Sequence, residues 1–515
     1  MVSAIKVEVV SLLKALKLIV VYVVMFVVSY VLASSIVVPE NETTQGLLRF
    51  WCNIRGGCVS SDIINSGALV IEQAISLAAF SIIVSTAVLA AEYRYFAAIL
   101  GFVLIVLSGT TPPGALIGSV EWKLIVFLIG SMSLAYILGR AGVFRYIAVK
   151  ILELTRGNAK LIVIFIGLLS WFLSIAVDEV TSIVYVVMII MDIYKLTKHD
   201  IKPLIIYSVI ATNTGSMALP VGNPIGIYLA FTAGLAVAEF VRKALLLSML
   251  LLVVVTIVFL VLEKDYLRSL SKAVHKELVV GVSTVYRADR TAKLIRSARV
   301  GMLIVILFFI TITLIDGISH MLEQLTNTSI DPHDLLTFIP YIYMVAAVPI
   351  LYSSEELREA LEKGVEWPTI IFFMALFMVG FSLTWSGIAL KVAYGILLLS
   401  SVLGGSSTAL LQLFLTSSAA LSAVLDNLSV VVAFTNIAKP IAESMGPVGR
   451  ALYWALLYGG VLGGNYTPIG SSANIVAVSM TEKTAPITWK DWLKLAALAT
   501  SLEIVIASLW LAAMA

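Results

Sequence analysis

Charge is what this chain has least of. Only 13% of its 515 residues are charged, whereas 60% are hydrophobic. A soluble domain carries about 25% charged residues, so a water-soluble globular fold is excluded. Histidine is almost absent, and His199, His275, His320 and His333 all fall in expected loops. The apolar segments hold no His/Cys metal cluster and no nucleophile triad. That argues against a membrane protease, a transferase or any other enzyme, and no cofactor is expected. Cysteine is scarcer still. Cys52 and Cys58 share one loop expected outside, where a local disulfide and two free thiols both fit. The net charge is only +3, and its basic residues cluster in a few loops, so no nucleic-acid partner is expected.

What the chain has instead is hydrophobic length. Mean hydropathy is +1.04. Many apolar runs reach the roughly 20 residues needed to cross a bilayer. The fold class is therefore an all-α polytopic membrane protein in the cell membrane, with lipid as its surroundings. Lys6, Lys14 and Lys17 precede an apolar run near 18–38. A signal peptide would have a shorter core and a small-residue cleavage site. This run reads as an uncleaved first helix with a cytoplasmic N-terminus. The basic regions Arg140–Lys160, Lys195–Lys202 and Lys264–Arg299 are expected on the cytoplasmic side. The first two then force residues 158–194 to enter the membrane and return. That segment is a re-entrant hairpin with Asp178 and Glu179 at its tip.

The same pattern recurs later. Ser174-Ile175-Ala176-Val177-Asp178-Glu179 is echoed by Ser422-Ala423-Val424-Leu425-Asp426-Asn427, and the aspartates lie 248 residues apart. Val221-Gly222-Asn223-Pro224 and Ile469-Gly470-Ser471-Ser472 keep that spacing. Glu121-Trp122 and Glu366-Trp367 are 245 apart and open matching apolar helices. Unlike motifs at one offset indicate a duplication. Residues 1–60 read as an extra helix and external loop, 61–262 as a first inverted repeat, 263–300 as a cytoplasmic polar loop and 301–515 as a second repeat. The expected count is about 11 transmembrane helices plus two re-entrant hairpins, with broken helices at the midplane.

An acid at membrane depth is by default a functional-site hypothesis. At a hairpin tip, free backbone groups, hydroxyls and a carboxylate make a hard oxygen cage suited to a cation. Ser174, Asp178, Glu179 and Thr181 supply the first tip, and Ser422, Asp426 and Asn427 the second. Asp178 and Asp426 are the places for Na⁺, or for Na⁺ alternating with H⁺. Helix capping alone explains one such aspartate, but two symmetric ones poorly. The glycine-rich breaks add Asn213, Thr214, Gly222 and Asn223 in the first half, and Asn465, Thr467, Gly470, Ser471 and Asn474 in the second. Broken helices expose groups that bind ions and polar substrates. Plain kinking with close helix packing is the bland alternative. Glu503 stands within the last apolar helix, either as a proton relay or paired near the membrane face.

These stretches resemble the ion transporter superfamily, and within it the arsenite permease/NhaD-type Na⁺/H⁺ antiporters and their citrate transporter-like relatives. The residues that carry the resemblance are Leu425-Asp426-Asn427, Glu366-Trp367 with Phe372-Phe373, Gly142-Val143-Phe144-Arg145-Tyr146-Ile147-Ala148, and the run from Gly463 to Asn474. Two positions depart from the family pattern. Glu179 replaces an Asn, and Gly226 stands where Asn would match Asn474. The resemblance implies a homodimer of scaffold and transport domains, and a small inorganic ion or small molecule as substrate. Three acids at the tips favour a cation. Two unit charges about 8 Å apart repel by roughly 2 kcal/mol at an effective dielectric of 20. The sequence therefore ranks Na⁺/H⁺ antiport first, arsenite efflux second and Na⁺-coupled di- or tricarboxylate transport third. An ion channel is the reading from a different class.

Overall fold

A computed structural model describes the chain apart from residues 1, 58–60, 90–92, 144–145, 147–153, 156–157, 177–178, 281–291, 330, 352–353, 426, 483 and 515. Its regular elements are all helices. The sequence dictates this outcome. Where lipid offers no hydrogen bonds, a helix satisfies its own backbone. Large apolar side chains such as Phe96, Leu107 and Leu509 point outward from the packed helices, as a lipid-facing surface requires.

Among the described residues, six helices are long and apolar enough to span a membrane. They are Gly67–Thr86, Trp122–Arg140, Ala159–Ala176, Val237–Leu262, Trp367–Trp385 and Trp489–Met514. A pair bent by 72°, Ser297–Thr313 with Ile315–Thr326, makes a seventh. Several further apolar runs expected from the sequence are shorter helices among the described residues. Arg94–Ser108 and Ile388–Val402 have 15 residues each, short of the roughly 20 that a full span needs. The polar 263–300 region is partly helical, with Lys264–Val280 as one helix. Ser354–Lys363 is a short polar helix just before Trp367–Trp385. Cys52 is disulfide-bonded, and Cys58 lies outside the described residues.

Two hairpins and two broken helices form the inner unit. The first hairpin joins Ala159–Ala176 to Glu179–Thr197, and the second joins Ser407–Ser422 to Asn427–Met445. The first broken helix runs Lys202–Ser216, then a short 3₁₀ turn Pro220–Gly222, then Pro224–Ala233. The second runs Ala451–Gly463, a turn Gly464–Tyr466, then Ser472–Thr481. Each hairpin's first arm packs on the long part of its own broken helix, whereas its second arm also packs on the short half-helix of the other half. The two halves are therefore interlocked. The helices Trp122–Arg140 and Trp367–Trp385 flank this unit. Tyr228 stacks on Phe377 with centroids 5.3 Å apart and planes at 11°. Nearby, Thr232 Oγ1 donates to Glu121 Oε1 at 3.0 Å.

The breaks have local causes. Pro224 and Pro468 lack the N–H that a continuous helix would use. Asn223 and Ser471 are extended, with φ of −157° and −142°, and each caps the half-helix that follows it. Gly222 and Gly470 let the turn fold back on the preceding helix. A Cβ on Gly222 would lie 2.3 Å from the Ser216 carbonyl oxygen, and one on Gly470 would lie 2.5 Å from that of Gly464. Both obstacles are backbone, so neither can yield cheaply. Gly222→Ala and Gly470→Ala are each expected to destabilise the protein by about 1–3 kcal/mol. Thermal unfolding of the detergent-purified protein measures this, and an unchanged midpoint in both variants would contradict the close approach.

Candidate functional site

Four helix N-termini meet at one cavity. Its volume is about 730 Å³. Its wall includes Glu179 and Asn427, which open the second arms of the hairpins, and Pro224 and Ser472, which open the half-helices. Each N-terminus carries a partial positive charge. The rest of the wall includes Arg94 and Tyr95 from Arg94–Ser108, Tyr136 from Trp122–Arg140, Lys363 from Ser354–Lys363, and Glu366 and Thr369 at the start of Trp367–Trp385. Arg94 stacks over Tyr95 at 4.8 Å and donates to its hydroxyl at 2.8 Å. That uses one of five guanidinium hydrogens and leaves others for a ligand.

The tips differ in chemistry. Asn427 is 3% exposed, and its amide nitrogen has no hydrogen-bond partner. Its oxygen accepts from the Leu428 N–H at 2.9 Å. A buried, unspent N–H₂ group at a cavity wall calls for an acceptor. At the equivalent place in the first half, Glu179 accepts from Ser216 Oγ at 3.3 Å, and Ser216 Oγ accepts from Asn223 Nδ2 at 2.8 Å. Thr181 also lines the cavity. Asp178 and Asp426 lie outside the described residues. No group of three His, Cys, Asp or Glu side chains able to hold a metal stands among the described residues.

Behind the cavity wall the two breaks are stitched together. Asn213 Nδ2 lies 2.8 Å from Asn465 Oδ1, 2.9 Å from Asn474 Oδ1 and 3.2 Å from Ser471 Oγ. Asn474 Nδ2 closes the second break by donating to the carbonyls of Gly464 and Thr467. Thr467 Oγ1 donates to the Ala423 carbonyl near the second tip. Asn223 Oδ1 accepts from the Gly226 N–H at 2.7 Å. Every one of these side chains is buried.

Several expected site residues are thus brought together, but in different roles. Glu179, Thr181 and Asn427 reach the cavity. Asn213, Asn223, Asn465, Thr467, Ser471 and Asn474 form the framework behind it. Gly222 and Gly470 make room for the turns. Thr214 turns to the C-terminal helix, where it meets Glu503. Ser174 Oγ donates to the Trp171 carbonyl and Ser422 Oγ to that of Gly460, so both are spent on packing. Arg94 and Lys363 were not foreseen. Neither belongs to a repeated motif, although Lys363 stands three residues before Glu366-Trp367.

The Asn213 bridge makes a direct prediction. Removing it leaves buried amide and hydroxyl groups of Asn465, Ser471 and Asn474 without their partner, at about 1–3 kcal/mol. Asn213→Ala and Asn474→Ala are expected to be strongly non-additive in a double-mutant cycle read by thermal stability. Additive losses would show that the two breaks are not coupled through this residue.

The comparisons with known proteins agree with this architecture. The family model described as "Citrate transporter" (CitMHS) matches residues 92–459. An uncharacterised transporter of Mycobacterium bovis is 26% identical over 396 residues, covering 76% of this chain and 86% of its own length. An uncharacterised transporter of Synechocystis is 22% identical, over 72% of this chain and 81% of its own length. The magnetosome protein MamN of Magnetospirillum gryphiswaldense is 23% identical, over 79% and 87%. The match spans both hairpins and the first broken helix, and the resemblance read from the sequence lies in the same superfamily. The chain belongs to the citrate transporter family and is a membrane-spanning transporter.

Proposed function

We propose that this protein is an ion-coupled secondary transporter that carries a small di- or tricarboxylate together with a cation or proton. One observation carries the reading: four helix N-termini and the unspent Asn427 amide converge on a single cavity. A helix N-terminus favours an anion by about 0.5 kcal/mol, so four supply on the order of 2 kcal/mol. One acid such as Glu179, about 8 Å away, takes back roughly the same amount. The dipoles alone therefore do not decide the sign. Arg94 and Lys363 add two positive charges, and Glu179 and Glu366 two negative ones. Lys363 is already paired with Glu359 at 2.6 Å. With Lys363 so engaged, the two acids outweigh Arg94, and such a cavity suits an anion that enters with its own positive charge. The name of the matching family supports the same choice. The carboxylate reading, third in rank from the sequence, thereby moves to first.

Na⁺/H⁺ antiport is the second reading, favoured by the nearly buried Glu179 carboxylate at the first tip. Proteoliposomes separate the two. Uptake of labelled citrate or succinate that depends on an ion gradient supports carboxylate transport. Na⁺/H⁺ exchange without carboxylate uptake overturns it. Arg94→Gln is expected to raise the KM for the carboxylate about tenfold, the equivalent of about 1.4 kcal/mol. Glu179→Gln is expected to weaken dependence on the coupling cation and to leave the fold intact, since Asn427 shows that an amide fits this position.

A further inference from the structure

The C-terminal helix Trp489–Met514 carries an acid that the cavity does not explain. Glu503 is 0% exposed. It sits where the two broken helices meet. Its Oε1 lies 2.5 Å from Thr214 Oγ1, at the end of the first long segment. Its Oε2 accepts from Asn465 Nδ2 at 3.0 Å, in the turn of the second break. Both partners are neutral, and no Lys, Arg or His pairs with it among the described residues. An ionised carboxylate buried with two neutral donors is costly, whereas the protonated acid is not.

Counting hydrogens points the same way. A threonine hydroxyl has one hydrogen. Thr214 Oγ1 faces two acceptors, the Ile210 carbonyl at 2.7 Å and Glu503 Oε1 at 2.5 Å. A proton on Oε1 supplies the missing donor, and every contact is then satisfied. With the proton gone, Thr214 must release Ile210 to serve the carboxylate.

The position is also connected. Asn465 passes from Glu503 to Asn213, and Asn213 to Ser471. Ser471 caps the half-helix whose first residue, Ser472, lines the cavity. The charge state of Glu503 thus reaches the substrate site through three side chains. Other ionisable groups on the elements packed against this helix are engaged elsewhere. Lys202 pairs with Asp491, and Glu263 with Lys494, at the N-terminal end of the helix. Asp491 and Lys494 lie nine or more residues from Glu503, roughly 13 Å or more along the axis. Lys243 pairs with Glu239. Tyr207 bonds Thr256, Tyr458 the Lys243 carbonyl, and Tyr466 Ser501. Tyr453 is buried on the Ala451–Gly463 segment.

We propose that Glu503 is a proton-binding site of the inner unit, loaded and emptied once per transport cycle. It is neutral while the cavity cation is absent. It gives its proton to water when a cation compensates the new charge. The coupling role rests on the transport reading above; the protonated acid itself does not.

Two measurements test it. Infrared difference spectra over a pH titration should show the C=O stretch of a protonated carboxylic acid. That band should be absent in Glu503→Gln and shifted in Thr214→Val, which removes the hydroxyl. In proteoliposomes holding a pH-sensitive dye, Glu503→Gln should keep carboxylate binding but lose proton movement and the pH dependence of uptake. Glu503→Asp should restore both. An acid band unchanged in Glu503→Gln and Thr214→Val, or wild-type proton movement in Glu503→Gln, overturns the proposal. If the wild-type protein moves no carboxylate, the transport reading fails, and the infrared band still decides whether Glu503 holds a proton.

Discussion

The structure depends on one constraint: two helices are broken inside a packed membrane protein, and every freed backbone group there must find a partner. An unpaired polar group in such surroundings costs several kcal/mol. The chain answers with short side chains. Asn223 and Ser471 cap the half-helices, and Asn474 takes up the carbonyls of Gly464 and Thr467. Asn213 then ties the two repairs to each other. Because the repair is shared, neither break can rearrange alone. The hairpins inherit this rigidity, since each second arm packs on a half-helix of the other half. A rigid inner unit with its cavity at one wall suits motion as a body better than local flexing.

Much of this was legible in the sequence, and the reason is repetition. Gly222 and Gly470 announced themselves through a shared offset, and both prove to be places where a backbone oxygen leaves no room for a Cβ. The polar residues beside the breaks stand out in the sequence as a group. Their division into cavity wall and supporting framework was not readable, because a spacing along one chain says nothing about which side a side chain faces. Ser174 and Ser422 look like ligands in the sequence and act in packing. Arg94 and Lys363 show the converse. They reach the cavity from elements outside the repeated motifs, and only tertiary packing brings them there.

The departures from symmetry carry the chemistry. An exact duplicate would give two like tips. Here one tip offers a carboxylate and the other an amide with hydrogens to spare. Acceptor and donor therefore face one space, which fits a ligand carrying both signs better than a lone ion. Gly226, in place of a second asparagine, leaves the first break with a simpler repair than the second. Glu503 bonds the turn of the second break through Asn465, and the first broken helix at Thr214 on its long segment.

The Tyr228–Phe377 stack shows what this inequality means for packing. By the repeat spacing, Tyr228 corresponds to Val476 and Phe377 to Met132. Val476 and Met132 line the cavity, while Tyr228 and Phe377 are pressed face to face. Equivalent positions thus border a space in one place and close it with an aromatic stack in the other. Parting Tyr228 from Phe377 forfeits about 0.5–1.5 kcal/mol beyond the area exposed, so the two halves differ in how readily these helices separate.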